Sequence, residues 1–102
     1  MNWKRPAEKS LVRAILALET ADAARRFLQD LLTPDEIMEF SKRFRAAQML
    51  AEQVPYSAIE KETGLSSTTV ARVSKSLKGT AGGYRRVISR LHHHSPSLAR
   101  ER

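Results

Sequence analysis

The sequence predicts an all-α protein, and three observations lead to that prediction. Apolar residues recur at the helical spacing i, i+3, i+4 and i+7 through most of the chain. No segment alternates apolar and polar residues over the length of a strand. The four glycines and four prolines lie where helical patterns begin or end. With 102 residues, the chain has the length of one small domain, which we expect to span residues 1–102.

The N-terminal part of the chain carries the first two helical patterns. Pro6 opens the first pattern, and Leu11, Ile15 and Leu18 form one face of it. Thr20 is expected to break or cap this stretch, after which the apolar pattern continues.

The segment Thr33-Pro34-Asp35-Glu36 is the clearest local signal for a helix start. Thr33 is a good N-cap, and Pro34 falls at the first helical position, where a missing N–H costs nothing. Glu36 lies three residues after the cap and completes a capping box. The helix is predicted to run to about Gln53. Its predicted apolar stripe is Ile37, Phe40, Phe44, Ala47 and Ala51.

Two short helices on either side of Gly64 have the spacing of a helix-turn-helix, over residues 56–78. The first is expected from Ser57 to Thr63, and the second, capped by Ser66 or Ser67, to about Leu77. Gly64 permits the left-handed backbone conformation that a tight turn needs. The positions expected to face inward and lock the two helices together are Ile59, Leu65, Val70 and Val73.

The last predicted helix covers roughly Tyr84 to His92, in a C-terminal segment over residues 80–92. Glycines precede it, and residues 93–102 are expected to form a flexible tail. His92, His93 and His94 are consecutive, so on a regular helix they point 100° apart and cannot converge on one ion. We therefore predict no metal site.

The net charge of +7 is concentrated in the last third of the chain. Residues 1–71 hold ten Lys/Arg and ten Asp/Glu, whereas residues 72–102 hold eight Lys/Arg and one acid, Glu101. This asymmetry indicates a polyanionic partner, either nucleic acid or an anionic membrane surface, although a solvated basic tail would give the same count.

The second helix of the helix-turn-helix has two chemically distinct faces. At 100° per residue, Val70 and Val73 face inward, while Thr68, Arg72 and Lys75 cluster on the opposite side. Arginine can bind guanine bidentately, threonine offers a hydroxyl and a methyl group, and lysine neutralises phosphate. The residues predicted to contact DNA are Ser66, Ser67, Thr68, Thr69, Arg72 and Lys75.

Several classes of protein are excluded or disfavoured by composition. The chain has no cysteine, which excludes a disulfide scaffold, a thiolate metal site and a cysteine nucleophile. No apolar run approaches the ~20 residues of a membrane span, and no set of catalytic residues or Gly-rich phosphate loop is present. We expect a cytoplasmic protein that is not an enzyme.

The order and spacing of these motifs resemble those of the tryptophan repressor family. The segments that carry the resemblance are Leu31–Glu36, Ile59–Gly64, Ser67–Arg72 and Ser76-Leu77, and the match covers roughly residues 10–92. With Gly82-Gly83-Tyr84, the chain is more similar still to the uncharacterised tryptophan-repressor-like bacterial proteins. The resemblance implies an intertwined helical homodimer, with dimerisation helices over residues 6–53 and a helix-turn-helix DNA-binding unit.

The same resemblance implies a corepressor pocket. Thr33, Arg43, Arg72 and Ser76 match the positions that line it in the family. The family places glycine directly after the second arginine, where this chain has Val73. We therefore expect that tryptophan does not bind. Whether a different small molecule acts as a corepressor is left open.

Together these patterns predict a sequence-specific transcriptional regulator, a bacterial repressor that binds double-stranded DNA. Two alternatives stay open at this stage. One is a protein–protein interaction module built on a helix-turn-helix fold, and the other is a basic module for a membrane surface or RNA.

Overall fold

The computed structural model describes the backbone of residues 1–100 and the side chains of residues 1–92. In that part of the chain the structure has six helices and no strand, which confirms the all-α prediction. The helices are α1 (Pro6–Leu16), α2 (Ala21–Leu31), α3 (Pro34–Ala51), α4 (Tyr56–Thr63), α5 (Ser67–Lys78) and α6 (Gly83–Arg100).

The chain divides into two compact units, Met1–Ile37 and Met38–Arg102. The expectation of a single domain stays a prediction. In the first unit, neither α1 nor α2 has a single buried residue. The large apolar side chains that this unit exposes are Met1, Trp3, Leu11, Val12, Ile15, Leu16, Leu28 and Leu31.

The helix starts predicted for the first unit are confirmed by their caps. Thr20 caps α2, since its hydroxyl accepts the Ala23 N–H at 3.0 Å. Thr33 Oγ1 accepts the Glu36 N–H at 3.1 Å, and Glu36 Oε1 accepts the Thr33 N–H at 2.9 Å. This reciprocal pair is the capping box that the sequence predicted, and it satisfies two N–H groups that a helix start leaves free.

The core of the second unit forms where α4, α5 and α6 pack with the C-terminal half of α3. Its buried apolar residues are Ala46, Ala47, Met49, Ile59, Leu65, Val70, Val73 and Ile88. The four inward positions predicted for the helix-turn-helix are therefore all confirmed. Ile59 and Val70 are the largest side chains that are fully buried, and each contributes roughly 1.5–3 kcal/mol by leaving water.

The apolar stripe predicted for α3 is confirmed at Ala47, which is buried, and at Phe44, which packs against the core, but not at Phe40 or Ala51. Ala46 and Ala47 are the fully buried residues, whereas Phe40 is 43% exposed and Ala51 is exposed. When the apolar surface of a helix is wider than one stripe, the sequence does not show which part of that surface packs against other helices of the same chain. The small side chains at positions 46 and 47 allow close packing, and the neighbouring helices of the second unit cover that part.

Helix α6 is longer than predicted. It runs from Gly83 to Arg100, whereas the sequence analysis ended it at His92 and began a flexible tail at residue 93. No glycine lies between residues 84 and 100, but Pro96 does, and a proline inside a helical pattern usually ends or kinks the helix, so the sequence favoured an earlier end. The side chains of residues 93–100 and the whole of residues 101 and 102 lie outside the described residues.

A hydrogen-bonded junction connects the end of α5 to the start of α6. The Arg85 guanidinium donates to the carbonyl oxygens of Leu77 and, at 2.8 Å, of Gly79. These carbonyls belong to the last turn of α5, where a helix lacks its own donors and where its dipole favours a cation. Gly82, with φ of 74°, supplies the left-handed conformation that brings the chain into α6. Arg85 therefore acts as a C-terminal cap supplied by the following helix.

Two adjacent glycines at this junction provide a matched test of that geometry. Gly82→Ala should destabilise the fold by roughly 1–2 kcal/mol, because a Cβ is disfavoured at positive φ and would lie 3.3 Å from the Arg85 Nη2 atom. Gly83→Ala should stabilise it by about 0.4–1 kcal/mol, because no atom within 4 Å opposes the added Cβ and alanine restricts the unfolded chain. Urea unfolding at one protein concentration measures both. Equal effects of the two substitutions would contradict the described junction.

Candidate nucleic-acid interface

The turn between α4 and α5 is fixed by hydrogen bonds that satisfy its buried polar groups. Gly64 adopts φ of 77°, and its N–H donates to the Glu60 carbonyl at 2.8 Å, which ends α4. The buried Thr63 hydroxyl donates to the Ile59 carbonyl at 2.7 Å and accepts the Leu65 N–H at 3.2 Å. The turn therefore has little freedom, and it fixes the direction in which α5 leaves.

The start of α5 is capped by Ser66. Its hydroxyl accepts the Thr69 N–H at 3.2 Å and donates to the Thr69 hydroxyl at 3.1 Å. The sequence left open whether Ser66 or Ser67 caps this helix, and in the structure Ser66 does so. Both Ser66 and Thr69 were predicted to contact DNA, and here their hydroxyl groups are hydrogen-bonded to each other. Ser67 and Thr68, in the same turn, are exposed.

The exposed face of α5 has the composition that the sequence predicted. Thr68, Arg72 and Lys75 are exposed, while Val70 and Val73 on the opposite side are buried. Among the side chains that the structure describes, neither Arg72 nor Lys75 is part of an ion pair. The sequence contains no acid between Gly64 and Glu101. An exposed row of hydroxyls and cations without any acid suits contacts to an anionic groove.

The acid nearest to this helix in the sequence, Glu62, is paired. Arg45 of α3 donates to Glu62 Oε2 at 2.8 Å, and both side chains are about half exposed, at 49% and 51%. A pair this exposed contributes about 0–1 kcal/mol to stability. The pair also has an electrostatic effect, because it neutralises the last carboxylate that precedes α5 in the sequence.

A cavity of about 250 Å³ lies beside α5, within the second unit. Its lining residues are Arg43, Thr69, Arg72, Val73, Ser76 and Tyr84. Two guanidinium groups and three hydroxyl groups make this lining suited to an anion. Arg43 also lies 3.5 Å from a Glu39 carboxylate oxygen and 5.4 Å from the centroid of the Phe40 ring.

The structure brings together three of the four residues that the family resemblance assigned to a pocket. Arg43, Arg72 and Ser76 line the cavity. Thr33 lies in the first unit, where it caps α3. Val73, which replaces the family's glycine, lines the same cavity, and its isopropyl group is almost entirely buried there.

One lining residue, Tyr84, was not predicted. Its ring centroid lies 6.4 Å from that of Phe44, and it lines the cavity from α6. The signal that could have found it is its spacing of i, i+4 and i+7 with Ile88 and Leu91. That spacing predicts a face of α6 directed at the core.

No group of three or more His, Cys, Asp or Glu side chains in residues 1–92 could hold a metal ion. The side chains of His93 and His94 lie outside the described residues. None of the described helices has both the length and the apolar character that crossing a membrane requires.

Two short helices that cross at a left-handed glycine turn, the second with a basic exposed face, define this chain as a helix-turn-helix protein. Comparisons with known proteins give the family. The family model described as "Trp repressor protein" matches residues 7–92. The chain belongs to the tryptophan repressor family. Membership in this family suggests a helix-turn-helix DNA-binding regulator.

Two relatives support this membership. The "Uncharacterized protein YerC" of Bacillus subtilis (strain 168) is 36% identical over 81 residues, which cover 79% of this chain and 78% of that protein. The crystal structure of a TrpR-like protein from Eubacterium eligens ATCC 27750 is 42% identical, with a TM-score of 0.82. That match covers 88% of this chain and 93% of the other. The predicted tryptophan-repressor-like fold is thereby confirmed.

Proposed function

We propose that this protein is a sequence-specific DNA-binding transcriptional regulator, a repressor of bacterial genes that acts in the cytoplasm. The observation that carries the proposal is the exposed face of α5, where Thr68, Arg72 and Lys75 lie in an acid-free stretch of the chain. The bases would be contacted from the N-terminal half of this helix, as in other helix-turn-helix proteins. Family membership supports a regulator that is not an enzyme.

We also propose that the working form is a homodimer. The support is the first unit, where α1 and α2 have no buried residue while eight large apolar side chains of the unit are exposed. On the second unit, Phe40 and Phe44 border an open cavity of about 330 Å³. Helices this short do not hold such a surface in water without a partner, and a second copy supplies a complementary apolar surface by symmetry.

We propose further that tryptophan is not the effector. The support is Val73, whose isopropyl group lines the cavity beside Arg43 and Arg72 and takes volume that a planar indole would need between the two guanidinium groups. The cavity stays suited to a smaller anionic effector.

Alanine substitutions at two positions of α5 test the DNA-binding proposal, because the two cations should act differently. Arg72 lies one turn after Thr68, where a guanidinium can reach a base edge. Arg72→Ala should therefore cost ~1–3 kcal/mol on the preferred site and reduce preference at one base position. Lys75 lies nearly a turn further along, so Lys75→Ala should weaken all sequences alike and reduce the salt slope by about one unit.

The measurement is duplex binding by fluorescence anisotropy over a salt series, on a site selected from random DNA. Thermal melts serve as the folding control, and both variants should melt like the parent because both side chains are exposed. If both variants fold and bind duplex DNA as tightly as the parent, α5 does not contact DNA. The protein-interaction alternative would then replace the proposal.

The dimer proposal predicts a single species of twice the chain mass at micromolar concentration. Sedimentation equilibrium gives this directly. Ile15→Asp, which puts a charge into the exposed apolar surface of α1, should shift the equilibrium towards monomer, whereas Arg13→Asp on the same helix should change it less. A parent protein that sediments as a stable folded monomer would refute the dimer.

The effector proposal predicts that L-tryptophan changes DNA affinity by less than about twofold. A tenfold gain, which corresponds to about 1.4 kcal/mol of coupling, would show that the cavity accepts an indole despite Val73. Val73→Ala is the informative variant, because it removes two methyl groups from the lining while keeping a helix-compatible residue. A tryptophan effect in that variant alone would identify the isopropyl group as the obstruction.

A further inference from the structure

We propose that the outer face of α6, formed by Arg86, Ser89 and Arg90, is a second surface for DNA, one that binds backbone phosphates without sequence preference. This inference rests on the proposed function. With Arg85, these three side chains line an open cavity of about 400 Å³. The sequence analysis assigned none of them to DNA.

The position of these residues on the helix leaves them free of the core. Tyr84, Ile88 and Leu91 form the inward face of α6, with Ile88 buried and the other two half-buried. At 100° per residue, Arg86 and Arg90 both fall on the opposite half of the helix, and both are exposed. Packing therefore does not account for the presence of arginine at these two positions.

The charge balance indicates that an anion from outside the chain faces this surface. Arg86 and Arg90 are like charges at i and i+4, an arrangement that destabilises an isolated helix. Among the described side chains neither forms an ion pair. Residues 38–102 hold twelve Lys/Arg and five Asp/Glu, whereas residues 1–37 hold six of each. The second unit thus carries the whole net charge of +7, and the first unit has no excess acid to offset it.

The junction with α5 favours DNA as the source of that anion. Because Arg85 donates to the carbonyls of Leu77 and Gly79, the start of α6 is held at the end of the recognition helix. The proposed function would bring a duplex to α5, and its backbone is then the polyanion available to the helix joined to α5. Arg86 and Arg90 lie about 6 Å apart along the helix axis, and phosphates of one strand follow each other every ~3.4 Å along the duplex. Two such side chains can reach two phosphates of one strand.

A membrane surface fits these observations less well. Membrane-bound amphipathic helices place bulky apolar residues beside their cations. Within residues 83–92, whose side chains the structure describes, Val87 is the one large apolar residue of α6 with substantial exposure, at 49%. Membrane binding is therefore retained as an outcome of the test.

The test compares four forms of the full chain on the same duplexes: the parent, R86A/R90A, R86K/R90K and the control K9A/R25A. The control removes two exposed cations from the first unit, so it matches the change in net charge. Affinity is measured from about 0.05 to 0.5 M salt on the preferred site and on an unrelated duplex. Far-ultraviolet circular dichroism and sedimentation monitor folding and assembly.

The expected result is that R86A/R90A loses affinity on the order of tenfold to a hundredfold at 0.1 M salt, equally on both duplexes. Its salt slope should fall by about 1.8, because two phosphate contacts contribute about 0.9 each. R86K/R90K keeps the charge and should keep most of the slope, and K9A/R25A should match the parent. If the double variant does not fold, R86A and R90A tested singly should each lower the slope by about 0.9.

The outcomes separate this inference from the function on which it rests. If the parent binds DNA and R86A/R90A has the same affinity and slope, the inference is overturned and the proposed function stands. If the parent binds no duplex at all, both fail. Two other results for R86A/R90A also overturn the inference. One is a changed sedimentation mass while the affinity for DNA per dimer is unchanged. The other is a loss of binding to anionic lipid vesicles while the affinity for DNA is unchanged.

Discussion

The structure of the second unit depends on close packing between α3 and the helix-turn-helix. Ala46 and Ala47 are both fully buried, and alanine is small enough to let neighbouring helices approach closely. Ile59 of α4 and Val70 of α5 fill the space that remains. A larger side chain at either alanine would move α4 and α5 outward and would change the direction of the recognition helix. The identity of these alanines therefore constrains stability and, under the proposed function, the direction in which α5 meets DNA.

Hydrogen bonds at both ends of α5 offset part of the repulsion that the concentrated positive charge causes. A unit with a net charge of +7 repels itself, and the recognition helix contributes no acid to offset this. Its two ends are instead held by hydrogen bonds. Ser66 caps the start, and Arg85 binds the carbonyls at the end, where a cation is favoured by the helix dipole. Caps at both ends stabilise the helix while its exposed face stays available.

The sequence predicted those features that depend on local chemistry. The capping box at Thr33, the αL turn at Gly64 and the buried face of α5 follow from a few neighbouring residues, and all three are present. The features that it missed depend on tertiary contacts. Which edge of α3 is buried depends on where other helices pack, and the role of Arg85 depends on carbonyls six and eight residues away. Of the pocket residues taken from the resemblance, three meet in one cavity, and Thr33 serves as a cap.

The cavity shares Thr69 and Arg72 with the residues of α5 that we propose contact DNA, and the shared arginine constrains any regulation by a ligand. Arg72 lies on the exposed face of α5 and also lines the cavity with Arg43. Its guanidinium can hold an anion inside the cavity or a base edge outside it, but one group cannot do both. A ligand that recruits Arg72 would therefore oppose DNA binding, and by linkage DNA would weaken that ligand by the same factor. A ligand held by Arg43 and Ser76 alone would leave Arg72 free and could strengthen DNA binding. The sign of regulation would thus depend on whether the ligand reaches Arg72.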